Sequence, residues 1–563
     1  MGAMFPSQVR PETSPSVHAV GLASYADVPA FGVLSHAAEQ LPDRPAVIYG
    51  DQVWDYRRLN HDTIVAAAMF QRLGVRPGDR VGLLLPNVPE YVIAANAIWR
   101  CGAVAIAISP LMVAEEISTL LDSTDCRMVV SLDMLSQSVV DPKVRLLLVS
   151  IREHLPSLYQ IGYLWQRHQR TGCWTLPSSD RQRWFWDQIA ATTQSWQPIT
   201  IHPESDPAYI LPTGGTTGVP KAVTLSHTNL VANAWQQYQW TQCSFGRETM
   251  LAVLPFFHSY GMSANIMGGA ATASTLVLHH RFNTRQVISL METHHPTVFH
   301  AVPAMLVSMN ERFRSAPPKI SGLRWTISGG ASLEQSVASE FAKHTGSLVV
   351  EGYGLSEASP VTHVGHLFRE PRYGFIGLPL PETDCRIVDA NPTEDDGLGV
   401  VESGDVRSGE IGELIVRGPQ VMLGYWNDAK ATSQAVRDGW LHTGDLAIRE
   451  PDGYYRIVGR KKDLIITSGF NVYPGEVEDA IREMPEVDDV AVVGVPDVNR
   501  GEIVVAFIVV KPGATWDEDA ADKYCEVHLS KYKRPRRWHC VDGDLPRNFL
   551  GKVLRRQLRE TQS

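Results

Sequence analysis

Short apolar runs alternate with helical patterns along most of the chain. "RVGLLLP" (80–86) precedes the helical "PEYVIAANAIWR" (89–100), and "STLVLH" (274–279) precedes "NTRQVISLMETH" (283–294). Strands that alternate with helices in this way predict βαβ units and a largely parallel sheet.

The pattern changes after about residue 380. "CRIVD" (385–389) and "GELIVRG" (412–418) are typical of strands separated by polar turns, and a helical segment and further apolar strands follow. A chain of 563 residues is also too long for one hydrophobic core. We therefore predict an α/β fold, with a large N-terminal multi-sheet α/β domain (1–459) and a small mobile α+β C-terminal domain (460–563). The charged link "GRKKD" (459–463) marks the boundary.

One apolar stretch requires a test for a membrane span. Residues 92–113 are mostly apolar, but they include Asn96 and Arg100 and are interrupted at Gly102. A spanning helix needs about 20 consecutive apolar residues. The stretch is better interpreted as a buried helix, a turn and a strand.

Residues 143–196 have an unusual composition. They hold five of the 14 tryptophans, and seven Lys/Arg stand against two acidic residues between Lys143 and Arg183. Val144, Leu148, Ile151 and Leu155 would share one helical stripe. Two interpretations are open: an insert packed on its own domain, or a basic surface that rests on a membrane. The first is favoured, because membrane-surface helices usually have a stronger amphipathic pattern.

Composition narrows the class of protein. The net charge of −10 argues against a nucleic-acid binder, which needs a basic surface. Seven scattered cysteines without a CxxC pair suggest neither a disulfide framework nor a zinc site. The start of the chain lacks a signal-peptide pattern. We expect a cytoplasmic protein, monomeric or homodimeric, with peripheral contact to the inner face of the membrane as the open alternative.

The segment "ILPTGGTTGVPKAVTLSH" (210–227) concentrates phosphate-binding chemistry. Three glycines, three threonines and Lys221 fall within nine residues. Glycines let backbone N–H groups approach phosphate oxygens, hydroxyls donate to them and a lysine offsets their charge. The segment is not a Walker A loop, because Pro220 precedes the lysine and a strand-like run follows. We expect the loop to join two strands, with a helix beginning after the N-cap Ser226.

A second polar constellation is "EGYGLSE" (351–357). It lacks the last glycine of GxGxxG and does not complete a GxSxG nucleophile elbow. Its residues suit a nucleotide instead, with ring stacking from Tyr353, a phosphate contact from Ser356 and Mg²⁺ binding by Glu357.

Five ordered motifs carry a family resemblance. "PTGGTTGVPK", "EGYGLSE", "GWLHTGD", "GRKKDLIITSGFNVYPGEVE" and "PRNFLGKVLRRQLRE" occur in the order found in adenylate-forming enzymes. Over roughly residues 30–560 the chain most resembles bacterial long-chain fatty-acid CoA ligases. The resemblance implies that a fatty acid attacks Mg-ATP to form acyl-AMP and pyrophosphate, and that the thiol of coenzyme A then displaces AMP.

The resemblance also assigns site residues. The implied catalytic residues are Lys552, His258, Glu357 and Lys221, with Mg²⁺ bound by Thr213 and Glu357. The implied nucleotide and CoA contacts are Thr213, Gly214, Gly215, Thr216, Thr217, Gly218, Lys221, Gly329, Gly330, Ala331, Tyr353, Gly354, Ser356, Asp445, Arg460, Lys462, Gly469 and Lys552. Among these, Lys462 resembles the hinge about which the small domain rotates. The resemblance implies that one orientation brings Lys552 to the site and that the other brings the segment at Gly469.

Several alternatives stay open at this stage. Small apolar residues at 261–274 and 300–306 suit either a lipophilic tunnel or tight helix packing, so the acyl length does not follow. An acyl-AMP ligase that loads a carrier protein and an aryl-acid CoA ligase share the same motifs. A kinase or nucleotide-binding regulator is the alternative from another class.

Overall fold

A computed structural model describes residues 24–213, 221–389, 408–468, 470–547 and 553–561. The strands of its large N-terminal part are β1 (Pro45–Tyr49), β2 (Gln52–Asp55), β3 (Arg80–Leu84), β4 (Val104–Ala107), β5 (Met128–Leu132), β6 (Arg145–Val149), β7 (Gln182–Trp184), β8 (Pro207–Thr213), β9 (Lys221–Ser226), β10 (Thr249–Ala252), β11 (Thr275–Leu278), β12 (Val298–Ala301), β13 (Trp325–Ser328), β14 (Leu348–Gly354), β15 (Val361–Val364), β16 (Leu378–Pro379), β17 (Asp384–Val388), β18 (Gly412–Arg417), β19 (Gly424–Tyr425), β20 (Val436–Arg437), β21 (Trp440–Arg449) and β22 (Tyr455–Arg460).

Helices connect most of these strands. They are α1 (Ala30–Gln40), α2 (Tyr56–Arg72), α3 (Pro89–Arg100), α4 (Ala114–Ser123), α5 (Ser157–Thr171), α6 (Phe185–Ala190), α7 (His227–Trp240), α8 (Ser259–Gly261), α9 (Gly268–Ala271), α10 (Thr284–His294), α11 (Pro303–Ser315), α12 (Gln335–Thr345) and α13 (Ala429–Ala435). A π-helix, Met262–Met267, joins α8 to α9, and short 3₁₀ helices lie at Asp133–Ser138, Ile151–His154, Ser356–Ala358 and Lys461–Asp463.

Two large sheets form the framework of this part. The first has the order β16-β15-β14-β13-β12-β10-β11-β1-β2, and the second has the order β19-β9-β8-β4-β3-β5-β6-β7. Their central strands are parallel, as the alternating pattern predicts, and the antiparallel pairs lie toward the edges. A third, antiparallel sheet joins β17, β18, β21 and β20, with β22 paired to β21. The prediction of a multi-sheet α/β fold is confirmed.

The C-terminal part is smaller and of α+β type. Its elements are β23 (Ile465–Thr467), β24 (Phe470–Val472), α14 (Pro474–Arg482), β25 (Val487–Asp497), β26 (Gly501–Val510), α15 (Glu518–His528), β27 (Arg537–Cys540) and α16 (Arg555–Glu560). Two apolar clusters draw their buried members from residues 465–558. This part therefore buries apolar side chains of its own, as an independent domain requires.

The apolar stretch 92–113 folds as predicted. Every residue of α3 is buried, the chain turns at Gly102 with a φ of +62°, and β4 follows. The Arg100 guanidinium donates to the side chains of Thr63 and Asn60, which compensates its burial. In the part of the chain that the structure describes, no helix is long and apolar enough to cross a bilayer.

The helical stripe predicted over residues 144–155 is wrong. The segment forms the parallel strand β6, whose residues 146–149 are buried, followed by the 3₁₀ helix Ile151–His154. A short apolar run buried on both faces fits a helix or a strand equally well by periodicity.

The helix of this region comes later, as α5. Its inner face carries Tyr163 and Arg167, which both donate to the carboxylate of Asp133, the Arg167 contact at 3.1 Å. Arg167 and Asp133 are almost completely buried. This buried ion pair fixes the helix to the domain, as the first interpretation of the insert expects.

Candidate active site

A cavity lies against the first large sheet and reaches the edge where its parallel strands end. It encloses about 900 Å³ of empty space, which includes its opening to solvent. Gly329, Gly330 and Gly354, which follow or end β13 and β14, line it together with Tyr353 and His258. Because the carboxyl ends of parallel strands meet at one edge, residues distant in sequence are brought together here.

Glycine is required at this edge for steric reasons. A Cβ on Gly354 would lie 1.9 Å from the carbonyl oxygen of Pro360, and Gly330 has a φ of +83°. A side chain at either position would strain or displace the backbone. Ala331, the next predicted contact, is partly exposed beyond Gly330.

Tyr353, Asp445 and Arg460 form a polar group beside the cavity, in which Asp445 is buried and the other two are half-buried. The Tyr353 hydroxyl donates to Asp445 Oδ2 at 2.6 Å, and Arg460 Nε lies 2.6 Å from Asp445 Oδ1. Burial, reinforced by the Asp445 carboxylate, raises the pKa of Tyr353 well above its usual value. Tyr353 therefore stays neutral, with its ring at the cavity wall. The three predicted nucleotide contacts are thus neighbours.

The glycine- and threonine-rich loop connects β8 to β9, an antiparallel pair, as predicted. Residues 214–220 lie outside the described residues, so the structure locates only the two ends. Thr213 Oγ1 donates to the carbonyl oxygen of Lys221 at 3.1 Å. Lys221 Nζ lies 4.7 Å from the centre of the Tyr425 ring. The lysine is therefore fixed at the base of the loop. The predicted N-cap is also present, since Ser226 Oγ accepts from the N–H of Asn229.

Glu357 is held by Tyr425, which the sequence analysis did not select. The Tyr425 hydroxyl donates to Glu357 Oε1 at 2.8 Å. The same tyrosine thus contacts the predicted metal ligand and the predicted loop lysine. Ser356 Oγ donates to Ser259 Oγ at 3.1 Å, which ties the adjacent residue to the cavity wall. No pattern along the chain marks Tyr425 as a site residue, because its contacts with Glu357 and Lys221 join residues distant in sequence.

These residues fit a magnesium ion that arrives with a nucleotide. The described residues contain no cluster of three or more His, Cys, Asp or Glu able to hold a metal. Mg²⁺ is commonly bound by one or two carboxylates together with phosphate oxygens. The Glu357 carboxylate would supply such a ligand, and the Thr213 hydroxyl oxygen is a second hard donor of the kind that Mg²⁺ takes.

His258 is the N-cap of α8 and lines the cavity. Its Nδ1 accepts from the N–H of Tyr260 at 3.2 Å, so the ring proton is carried by Nε2. Burial lowers the pKa of His258 to about 4. The imidazole is therefore neutral at neutral pH, so it can form hydrogen bonds but brings no charge to the cavity.

Tyr260 and His300 form a second buried pair in the cavity that sequence analysis missed. The Tyr260 hydroxyl donates to the carbonyl oxygen of Ile327 at 2.9 Å and lies 3.3 Å from His300 Nδ1. Burial lowers the pKa of His300 to about 4. Of the two stretches predicted to border a tunnel, 261–274 contributes three small residues to the cavity wall, and 300–306 contributes His300.

The predicted hinge residue, Lys462, lies two residues after Arg460. Lys462 belongs to the 3₁₀ helix Lys461–Asp463, and burial and the nearby Arg460 charge lower its pKa. This link is held from both sides. Lys461 Nζ lies 2.9 Å from Glu413 on β18, and Asp463 lies 3.4 Å from Arg559 on α16.

Two further predicted residues, Gly469 and Lys552, lie outside the described residues. The structure does not test their roles. The chain on either side of 548–552 is anchored, since Arg547 pairs with Asp489 and Arg555 donates to both oxygens of Glu478.

Comparison with known proteins identifies the class. The family model of the AMP-binding enzyme matches residues 34–426, and that of the AMP-binding enzyme C-terminal domain matches residues 476–552. The chain belongs to the AMP-binding enzymes, the adenylate-forming acyl-CoA synthetases. It is accordingly an acid–thiol ligase that uses ATP, Mg²⁺ and coenzyme A.

Individual relatives cover nearly the whole chain. The long-chain-fatty-acid–CoA ligase of Bacillus subtilis (strain 168) is 33% identical over 538 residues, 94% of each chain. A ligase of Mycobacterium tuberculosis for a methyl-dioxo-octahydroindenyl propanoate is 32% identical, covering 94% of this chain and 97% of its own. The ATP-bound MatB of Rhodopseudomonas palustris is 26% identical, with a TM-score of 0.80 over 95% of this chain and 99% of its own.

The buried histidines predict acid sensitivity. Below pH 6.5 the unfolded chain protonates His300, whereas the folded protein does so only near pH 4. The unfolded state therefore binds more protons in this window, and stability is lost as the pH falls from about 6.5 toward 4. Each pH unit in the window costs about 1.4 kcal/mol per such histidine.

The unfolding temperature of His300→Gln should depend less on pH between 7 and 5 than that of the unchanged protein. His61→Gln, at an exposed position, should leave the slope unchanged, and equal slopes in all three proteins would contradict the assignment.

Proposed function

We propose that this enzyme activates a fatty acid, first to acyl-AMP with release of pyrophosphate and then to acyl-CoA. The observation that carries the proposal is the cavity itself. One end meets Tyr353, Gly330 and His258, and the rest is walled mainly by apolar side chains. A cavity that joins a nucleotide-like polar end to an apolar chamber suits an acid with a long hydrocarbon tail.

The nucleotide end divides its tasks among the predicted residues. Adenine would lie against the Tyr353 ring and the backbone of Gly329, Gly330 and Ala331. Asp445 and Arg460 suit the ribose, because their pairing fixes a carboxylate with acceptor capacity beside the tyrosine. Thr213 and Lys221, with the loop between them, suit the β- and γ-phosphates.

The main barrier is electrostatic. Two anions meet when the carboxylate attacks the α-phosphate, so positive charge and hydrogen-bond donors must already be in place. Mg²⁺ at Glu357 would supply part of that charge. Lys221 is positioned for the departing pyrophosphate, and Tyr425 keeps Glu357 oriented. His258 supplies an N–H donor from Nε2 without adding a proton-dependent charge.

In the second half-reaction, coenzyme A must reach the site at which ATP reacted in the first. We propose that the domain 460–563 turns about Lys462, so that Lys552 serves adenylation and the segment at Gly469 serves thioester formation. The two-sided anchoring of Lys461 and Asp463 supports a hinge at this link. Each half-reaction would then use its own arrangement of the two domains.

The overall proposal predicts acid-dependent pyrophosphate exchange. With Mg-ATP and a series of laurate, palmitate, benzoate and the bicyclic propanoate class, fatty acids should stimulate ATP–pyrophosphate exchange most strongly. Addition of coenzyme A should convert the bound adenylate to acyl-CoA. Formation of acyl-AMP without the thioester would favour a carrier-protein ligase, and a preference for benzoate would favour an aryl-acid ligase. ATP–pyrophosphate exchange in the absence of any acid would contradict adenylate formation.

The two-conformation mechanism predicts a split between the half-reactions. Lys552→Ala should lower adenylation by about a thousandfold, because a preorganised charge at a transition state contributes on the order of 3–4 kcal/mol. Formation of acyl-CoA from supplied acyl-AMP should stay near the unchanged rate. Lys523→Ala on the exposed face of α15 is the matched control and should alter neither step. Equal loss in both steps for Lys552→Ala would contradict domain alternation.

We also propose that α5 makes peripheral contact with an anionic membrane. Leu158, Ile161 and Trp165 share one helix face and are 81%, 71% and 55% exposed. The opposite face is fixed to the domain through Arg167. Exposed apolar side chains in a region with excess Lys/Arg suit a surface with negative lipids, which would also be a source of apolar substrate.

This surface predicts charge-dependent vesicle binding. The protein should co-sediment with vesicles of phosphatidylcholine and phosphatidylglycerol (3:1), and less with phosphatidylcholine alone or at high salt. Ile161→Gln combined with Trp165→Gln should weaken binding about thirtyfold, since each side chain loses on the order of 1 kcal/mol of apolar burial. Val527→Gln, at an exposed apolar position on α15, should bind like the unchanged protein. Equal binding by all three would exclude α5 as the contact.

A further inference from the structure

The cavity runs along one face of the first large sheet, between the carboxyl ends and the amino ends of its parallel strands. Val298 and His300 of β12 line it, as do Trp325 and Ile327 of β13. Side chains two apart on a strand lie on the same face. Each pair spans its four-residue strand from the amino end toward the carboxyl end. The cavity therefore runs parallel to the strands, from the nucleotide end at Gly329 to the amino edge of the sheet.

Two indole rings line the cavity and are held by hydrogen bonds. Trp240 Nε1 donates to the carbonyl oxygen of Gly365 at 3.1 Å, and Trp325 Nε1 donates to that of Leu367 at 3.0 Å. Both rings line the cavity, and both are hydrogen-bonded to the segment that follows β15. A side chain held at its polar end by a hydrogen bond resists displacement more than one held by packing alone. We call these two residues the tryptophan floor.

An ion pair backs the tryptophan floor. The Arg324 guanidinium lies 4.1 Å from the centre of the Trp325 ring, and its Nη1 lies 2.7 Å from Glu248 Oε1. Glu248 is fully buried and also accepts from the hydroxyls of Ser244 and Thr297. Moving Trp325 outward would disturb a buried carboxylate whose hydrogen bonds are already made. The far end is therefore a wall rather than an open exit.

The length of β13 gives an estimate of the acyl chain length that the cavity accepts. A four-residue strand spans about 13 Å. An extended backbone covers about 3.5 Å in three bonds, or about 1.2 Å per bond, and an extended hydrocarbon chain advances similarly. A tail that starts beside His258 and runs along β13 thus reaches the tryptophan floor after about 10–12 carbons.

The chemistry of the far end selects a methyl terminus. Besides the ion pair, the hydroxyls near it are already used, since Thr241 donates to the carbonyl oxygen of Tyr238 and Thr272 to that of Gly268. A terminal carboxylate would meet the buried Glu248 charge and indole rings whose N–H groups are occupied. Burying a charge without a partner is costly, so dicarboxylic acids are disfavoured.

We infer that the tryptophan floor limits the acyl chain, so that the preferred substrates are saturated monocarboxylic acids of about 10–12 carbons. This inference rests on the proposed fatty-acid activation. It adds Trp240 and Trp325 as specificity-determining residues. It also assigns a medium-chain class of substrate, whereas the family resemblance leaves the chain length open.

The test is a chain-length profile of kcat/KM for pyrophosphate release, measured with even-numbered acids from 6 to 18 carbons and with dodecanedioic acid. For the unchanged enzyme we expect a maximum at 10–12 carbons and at least a tenfold fall at 16. Dodecanedioic acid should react at least tenfold more slowly than laurate. Trp240→Ala should move the maximum to longer acids by two to four carbons.

A matched control lies on the same helix. Trp235 is partly exposed, packs on Tyr25 and does not line the cavity. Trp235→Ala should therefore keep the unchanged profile. Trp240→Leu, which preserves apolar packing, should shift the profile in the same direction and covers the case in which Trp240→Ala is unstable.

The outcomes distinguish a failure of the proposed fatty-acid activation from a failure of the tryptophan floor. If no acid of any length stimulates pyrophosphate release, the proposed function fails. If fatty acids react but palmitate equals laurate, or if the Trp240 and Trp235 variants have the same profile, fatty-acid activation stands and the tryptophan floor is wrong.

Discussion

The convergence of parallel strand ends at one sheet edge is the constraint on which the rest of this structure depends. β13 ends at Ser328, directly before Gly329, and β14 ends at Gly354, where the backbone passes so close to Pro360 that a side chain cannot fit. The same strands present their inner face to the cavity, so one sheet supports both the polar end and the apolar chamber.

Charge at the site is controlled by burial and by pairing. Buried histidines at 258 and 300 are kept neutral, and Tyr353 is kept protonated by burial and by its bond to Asp445. Glu357 and Lys221 contact the same side chain, because the Tyr425 hydroxyl donates to Glu357 and the Lys221 ammonium lies over the Tyr425 ring. The groups suited to phosphate and metal thus share one neighbour, while the histidines that line the cavity are neutral.

Much of the architecture could be predicted from the chain. The alternating pattern predicted the parallel sheets, Asn96 and Arg100 argued correctly against a membrane span, and Ser226 was correctly identified as an N-cap. The stripe over 144–155 was wrong because a short run that is buried on both faces has no period to distinguish a strand from a helix. The helix of that region was missed because α5 is seated by a polar pair, Arg167 with Asp133, and exposes apolar residues, which reverses the usual pattern.

The sequence by itself determined the class of chemistry, because five ordered motifs carry the resemblance to adenylate-forming enzymes, and the order of residues along the chain is local information. The same motifs predicted Tyr353, Asp445 and Arg460 as nucleotide contacts, and the structure brings these three residues together. Only the tertiary structure decided what surrounds them. Tyr425 contacts Glu357, which is 68 residues away in the chain, and Trp240 and Trp325 line the same cavity although they are far apart in sequence. Such contacts depend on how strands and helices stack, and no local pattern of residues encodes that stacking.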